Sequence, residues 1–220
     1  MTYDDKYLLA SSFFGTEPES ILTRFFDRIG EKSLVLDVGA GQGRNSIFLA
    51  TNLLSVHALE PSTVAANALR RIAAESDLDI TVFQEKLENF KRPQMAYEGI
   101  MVFGLVPDLT WTSINTLLEK IDEWGMHGTM VWMTGFTTLD PGLQFYRKNW
   151  TEVSPNSFSG PDGKIRTYLE TDQILSLFPE HTVLHHREGM GPLHRHGDGE
   201  LEQHGMFEIV LQCPKSTKGQ

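Results

Sequence analysis

The chain has 220 residues, 40% hydrophobic and 22% charged, with a formal net charge of −10 and one cysteine. That balance describes an ordinary globular chain with a full core. The acidic excess argues against nucleic acid as a partner, and the lone Cys213 excludes an internal disulfide and suits a reducing compartment.

Thr16-Glu-Pro-Glu19 reads as a capping box before a helix whose apolar face is Ile21, Leu22, Phe25, Phe26 and Ile29. Ser33–Val38 predicts the first strand, Arg44–Asn52 a helix and Ser55–Leu59 a second strand. Pro61 opens an alanine-rich helix that runs to about Ser76. Further strands are expected at Ile80–Phe83, Gly99–Phe103 and Thr129–Met133, with a helix over Thr112–Trp124 before the last of them. Residues 134–165 show Gly, Pro, Ser and Asn among scattered aromatics without a period, and are expected to form a loop that acts as a substrate lid. A short helix over Asp172–Leu177 precedes two closing strands, Thr182–His186 and Met206–Leu211.

Strands alternating with helices at this spacing predict an α/β fold: a doubly wound, mostly parallel seven-stranded sheet finished by an antiparallel hairpin. No repeat or low-complexity tract interrupts the chain. One domain over 1–220 is expected, with 1–30 as an N-terminal cap and helix.

The chemistry concentrates in Leu34-Val-Leu-Asp-Val-Gly-Ala-Gly-Gln-Gly-Arg-Asn45, a buried-strand pattern that ends in a glycine turn. Gly39, Gly41 and Gly43 alternate, whereas a dinucleotide fingerprint needs Gly-x-Gly-x-x-Gly. Asp37 ahead of the turn would repel a phosphate and accept hydrogen bonds from an ammonium group. The pattern therefore points to S-adenosylmethionine as cofactor over a nicotinamide. In open α/β sheets ligands lie beyond the carboxyl ends of the strands, which gathers Asp37–Gly43, Glu60, Glu85 and Phe103–Val106. Glu60 ends the second strand and is suited to the ribose hydroxyls, although a solvated strand-end acid is the plainer reading. Glu85 suits the adenine amino group, with an ordinary surface acid as its alternative, and the backbone at Lys86 and Leu87 adds to that wall.

Leu36-Asp-Val-Gly-Ala-Gly-Gln-Gly43 with Glu60 resembles the class I S-adenosylmethionine-dependent methyltransferases. Gly43-Arg-Asn-Ser46, Tyr3-Asp-Asp-Lys-Tyr7 and Gly189-Met-Gly-Pro-Leu-His-Arg195 extend the similarity to the tellurite-resistance methyltransferases of the TehB type. The resemblance implies methylation of a small acceptor: an oxyanion such as tellurite or selenite, a thiol or another small molecule. It implies His194 and Arg195 as the catalytic pair, Arg195 anchoring an anion and His194 orienting it or removing a proton. The cofactor residues it implies are Asp37, Gly39, Gly41, Gly43, Asn45, Glu60, Pro61, Glu85, Leu87 and Phe103.

The chain leaves that pattern at Glu202, where the family carries an arginine, and in a longer 134–165 segment rich in Phe136, Phe145, Tyr146, Trp150 and Phe158. A larger, partly apolar acceptor fits those aromatics, with Arg147 or Arg166 restoring the charge. Six of the eight histidines lie between His181 and His204. His194-x-His196 has zinc-like spacing, but no Cys or acid stands beside it in sequence, so no metal is expected. A nicotinamide-dependent oxidoreductase and a non-catalytic S-adenosylmethionine-binding module are the competing functions. No leader pattern opens the sequence and no apolar run reaches bilayer length, so a cytoplasmic monomer or homodimer with no membrane partner is expected.

Overall fold

The computed structural model describes residues 2–10, 12–93, 95–195 and 199–214. His196 and the 215–220 tail lie outside the described residues. The elements in chain order are α1 (Tyr3–Leu9), α2 (Ser20–Phe25), β1 (Leu34–Val38), α3 (Arg44–Thr51), β2 (Ser55–Leu59), α4 (Thr63–Glu75), β3 (Ile80–Phe83) and β4 (Tyr97–Val102). They continue through α5 (Trp111–Trp124), β5 (Gly125–Phe136), α6 (Leu143–Asn149), β6 (Thr151–Ser154), β7 (Ser157–Ser159), β8 (Ile165–Thr167), α7 (Gln173–Ser176), β9 (Thr182–Met190) and β10 (Gly205–Gln212). The main sheet has seven strands in the order β3-β2-β1-β4-β5-β10-β9, and β6-β7-β8 form a separate three-stranded sheet. Among the described residues no helix is long and apolar enough to cross a membrane.

The chain divides into two compact units, Met1–Met101 with Arg195–Glu200 and Val102–His194 with Leu201–Gln220. In the first, β1 pairs in parallel with β2 and β4, and β2 with β3. Val35, Leu36, Asp37 and Val38 are all buried, because a central parallel strand is covered on both faces. The turn after it bends back onto β2, with the Gly39 and Ala40 N–H groups donating to Leu59 O at 2.8 and 3.1 Å. Helix α4 buries Ala65, Ala66, Leu69 and Ala73 on one face. An added Cβ at Gly43, which has φ +88°, would strike the Leu69 side chain, so only glycine fits there.

In the second unit β10 pairs antiparallel with both β5 and β9, as expected of the closing hairpin. Helix α5 starts on Thr110, whose hydroxyl accepts from Ser113 N–H at 3.2 Å, and buries Ile114, Leu117, Ile121 and Trp124. Cys213 is buried just past β10 and its thiol is pushed up to about 12 by that burial, which makes it inert.

Three local expectations are corrected. No capping box forms at Thr16: α2 begins at Ser20, and its N-cap Glu19 makes no side-chain cap. A capping box closes instead at the head of α1, between Thr2 and Asp5. Pro61 lies outside α4, because Ser62 is the N-cap and accepts from Ala65 N–H at 3.1 Å. The segment 134–165 is not an aperiodic loop. Its first residues prolong β5, α6 follows, and the remainder folds into β6, β7 and the start of β8 around buried Leu143, Phe158 and Tyr168. Strands of three or four residues are too short to show a period, which is why the sequence reads as loop there.

Candidate cofactor and acceptor sites

The first unit places Gly39, Gly41, Gly43, Asp37, Asn45, Glu60 and Pro61 around the end of β1 and the start of α3 and α4. Gly39, Gly41 and Gly43 all have positive φ, at 75°, 56° and 88°. Alternate left-handed residues curl the backbone into a cradle that side chains would fill. At Gly41 an added Cβ would stand 3.0 Å from the Tyr7 hydroxyl of α1. The buried Glu60 carboxylate closes the cradle, its Oε2 accepting from Gly41 N–H at 2.8 Å and its Oε1 from Ser62 N–H at 2.7 Å. Each oxygen keeps a further lone pair for a hydroxyl donor. Burial raises the Glu60 carboxyl above its ordinary range; the two backbone bonds oppose the rise and the Asp4 charge adds to it.

Asp37 is 2% exposed and accepts from the Ser46 hydroxyl at 2.7 Å. Burial pushes its carboxyl up to about 6, against the lowering effect of Ser46 and with a further rise from Glu60. Asn45 is also buried, and its side-chain oxygen accepts from Glu19 N–H at 2.9 Å, which holds the segment ahead of α2 against α3. Pro61 is exposed beside Ser62. Glu85 is exposed after β3, whereas Leu87 is buried. Phe103 is half-buried and belongs to the second unit.

Several partners of this cradle escaped the sequence reading. Asp4 accepts from the Ser62 hydroxyl in a short hydrogen bond and faces Val64 N–H at 3.5 Å. Gln42 accepts from Phe13 N–H at 2.7 Å and donates to Ala10 O at 2.8 Å. Tyr3, Tyr7, Phe13 and Phe14 pack as an aromatic cluster, with Tyr7 buried. The motif Tyr3-Asp-Asp-Lys-Tyr7 was the available signal, although nothing in the sequence shows what it touches.

Of the expected catalytic pair, Arg195 is exposed and His194 is half-buried. His194 bridges Glu202 through paired backbone bonds of 2.9 and 2.8 Å, and its Nδ1 lies 3.1 Å from Pro192 O.

A different pair forms in the second unit. His204 Nδ1 lies 2.8 Å from Oδ2 of Asp140, which is only 4% exposed. Asp140 also accepts from Gly205 N–H at 3.1 Å and Gly142 N–H at 2.7 Å. An ionised carboxylate only accepts, so Asp140 orients the ring with an Nδ1–H turned toward it. The His204 ring stacks on Phe136 at 4.3 Å and stands 5.2 Å from the His194 ring, and its Nε2 is 3.5 Å from Glu202. Phe136 stacks in turn on Tyr168, whose buried hydroxyl has no hydrogen-bond partner. Burial and the Asp140 charge raise the Tyr168 phenol further. The Arg166 guanidinium lies 5.4 Å from the Phe136 ring and 5.6 Å from Tyr146, and 3.3 Å from Asp108. Arg147 is exposed and bonds Asn156 at 3.1 Å. Of the aromatics read as acceptor surface, Phe158 is fully buried core and Phe145 is exposed.

Comparison with known proteins agrees with this geometry. Residues 35–124 match the methyltransferase domain family. TehB from Haemophilus influenzae superposes with a TM-score of 0.72 at 16% identity, over 96% of this chain and 67% of that one. A SAM-dependent methyltransferase from Methanosarcina mazei gives 0.72 at 16% identity, over 91% and 100%. The 1,6-didemethyltoxoflavin-N1-methyltransferase of Burkholderia thailandensis, solved with 1,6-didemethyltoxoflavin and S-adenosylhomocysteine, gives 0.68 at 11% identity, over 96% and 88%. Comparison with curated protein sequences returns no match. The alternating glycine cradle with its buried strand-end acid fits S-adenosylmethionine, residues 35–124 match a methyltransferase domain, and the chain has the fold of the class I methyltransferases.

Proposed function

We propose that the protein methylates a small organic acceptor whose nucleophilic atom loses a proton on the way to reaction. The Asp140–His204 pair carries this reading: a buried carboxylate orients the imidazole through Nδ1, which leaves Nε2, with Glu202 at 3.5 Å, as the ring nitrogen that handles the acceptor's proton. S-adenosylmethionine, when bound, supplies a methyl group on a sulfonium, and transfer forms the acceptor–carbon bond as the carbon–sulfur bond breaks. The chain has to hold the acceptor in line, strip its water and remove its proton. The half-buried Phe136, stacked on the His204 ring, offers flat apolar surface beside the imidazole. His194 orients the acceptor beside His204, and Arg195 anchors anionic character. The N1-methyltransferase from Burkholderia thailandensis, solved with 1,6-didemethyltoxoflavin bound, supports this substrate class.

On the cofactor side, Glu60 takes the ribose hydroxyls, Asp37 the ammonium group and Glu85 the adenine amino group. Gly39, Gly41 and Gly43 let the backbone approach, Asn45 steadies the turn, and Pro61, Leu87 and Phe103 shape the walls. The single buried cysteine and acidic surface support a cytoplasmic protein, monomer or homodimer, with no nucleic-acid or membrane partner.

Tellurite and selenite are the second reading, carried by the His194-Arg195 motif. Measuring S-adenosylhomocysteine release across N-heterocycles, phenols, thiols, small aromatic acids, tellurite and selenite separates the two. Protic acceptors should turn over and should slow sharply in His204→Gln. Turnover of tellurite alone, unaffected by His204→Gln, overturns the proposal in favour of oxyanion methylation.

A further inference from the structure

The clustered histidines meet two carboxylates at one place in the fold, Glu188 from two residues along the strand and Asp172 from a distant turn. His186 and Glu188 lie two residues apart on the edge strand β9, so both side chains project from one face. Asp172 meets them from the turn before α7. Its backbone is left-handed at φ 59°, and as N-cap of that helix its carboxylate makes no capping bond. Among the described residues this is the one group of three or more His, Cys, Asp or Glu side chains placed to share an ion, its ligand atoms all within 4.8 Å of one another.

Two features turn this proximity into a site. His186 Nε2 lies 3.1 Å from Glu188 Oε1, a hydrogen-bond contact that needs to open by only a few tenths of an ångström to reach the roughly 3.3–3.6 Å between neighbouring ligands on a tetrahedral zinc with bonds of about 2.0–2.2 Å. Glu188 is the second. Its side chain is 8% exposed, its Oε1 accepts from Asp172 N–H at 3.0 Å, and its Oε2 is buried with no hydrogen-bond partner. A buried carboxylate oxygen without a donor is costly, and a cation is the partner it lacks. Two carboxylates converging on one imidazole deepen that demand.

We propose that Asp172, His186 and Glu188 bind a divalent ion of the zinc class, clipping the turn ahead of α7 to β9. One nitrogen and two carboxylate oxygens suit zinc over magnesium or calcium, which prefer all-oxygen shells. Three protein ligands leave a position for water, so the ion exchanges with solvent. None of the three residues takes part in the methyl transfer proposed above, so the clip stands or falls independently of it.

The test uses the full-length protein after chelation and dialysis, titrated with zinc chloride in a calorimeter and with cobalt chloride by visible absorption. Wild type should bind a single equivalent of zinc, raise its melting temperature on binding and give cobalt bands of low-coordinate type. Glu188→Gln, which preserves size, and Asp172→Asn, at an exposed position, should each weaken binding by at least about tenfold. Circular dichroism checks that both variants remain folded. The proposal is overturned if metal-free wild type takes up no zinc. It is equally overturned if His186→Ala/Glu188→Gln binds zinc as wild type does, which would put the ion on another set of histidines.

Discussion

Burial pushes the Asp37 carboxyl up to about 6 from an ordinary 3.8, and with Asp37 proposed to hold the cofactor's ammonium group, cofactor binding should depend on pH. An ammonium group prefers the ionised form, so affinity should rise with pH until Asp37 is fully ionised. At pH 5 only about a tenth of the carboxyl is ionised, so binding should be about tenfold weaker than at pH 7.5, or about 1.4 kcal/mol. Asp37→Asn keeps the shape and the Ser46 contact but removes the charge. Its affinity at pH 7.5 should fall by about 1.5–3 kcal/mol, the worth of a charge-assisted bond, and its pH profile should flatten. Calorimetry with S-adenosylhomocysteine reads this cleanly, because that ligand keeps the ammonium and lacks the sulfonium. Glu60, also raised by burial, contributes its own slope, so the decisive quantity is the difference between wild type and variant. Parallel profiles from pH 5 to 7.5 would refute the assignment of Asp37 to the ammonium group.

The same burial sets the stability of the empty protein. A carboxyl raised in the fold favours its protonated form, so stability should fall as pH climbs from about 4 to 6, by up to about 3 kcal/mol. Melting curves of Asp37→Asn should lack that part of the decline. Gly43→Ala forces a left-handed alanine and drives a methyl into buried Leu69, so denaturant unfolding should show a loss of about 2–4 kcal/mol. A loss below about 1 kcal/mol would mean that the turn gives way easily. Glu60→Gln sets an amide NH2 against one of two backbone donors, and cofactor affinity should drop at least tenfold, a cost of about 1–3 kcal/mol by calorimetry. Arg166→Ala should raise the acceptor's KM while leaving cofactor affinity unchanged, since the guanidinium lies over Phe136 and Tyr146; an unchanged KM counts against a role in acceptor binding.

Legibility in the sequence followed the range of the interactions. The β2 and β3 boundaries could be read to the residue, because short apolar runs between turn signals are local. The cradle was legible for the same reason: strand, acid and glycines occupy one continuous segment. Asp140 and His204 are 64 residues apart and meet only through the ladder that joins β5 to β10, so neither announces the other. His194 drew the attention instead, because it sits in a contiguous motif. The three-stranded sheet failed to appear because its order comes from packing on Phe158 and Tyr168. The Thr16 capping box misled for a complementary reason. Glu19 N–H, at the head of α2, is already bonded by the Asn45 side chain from α3.

Glu60 is joined to the N-terminal helix through a single residue. Ser62 donates its N–H to Glu60, its hydroxyl to Asp4, and accepts at the head of α4. Asp4 also bears electrostatically on Glu60. Helix α1 is therefore wired to the acid as well as laid over the glycines. Peeling it away would uncover the cradle and retune the acid in one motion, so with Glu60 in its proposed place at the ribose, release of spent cofactor and loss of that contact would be a single event. Engineering for ribose-modified cofactor analogues should accordingly begin at Asp4 and Ser62, where the latch can be loosened while the cradle itself is left intact.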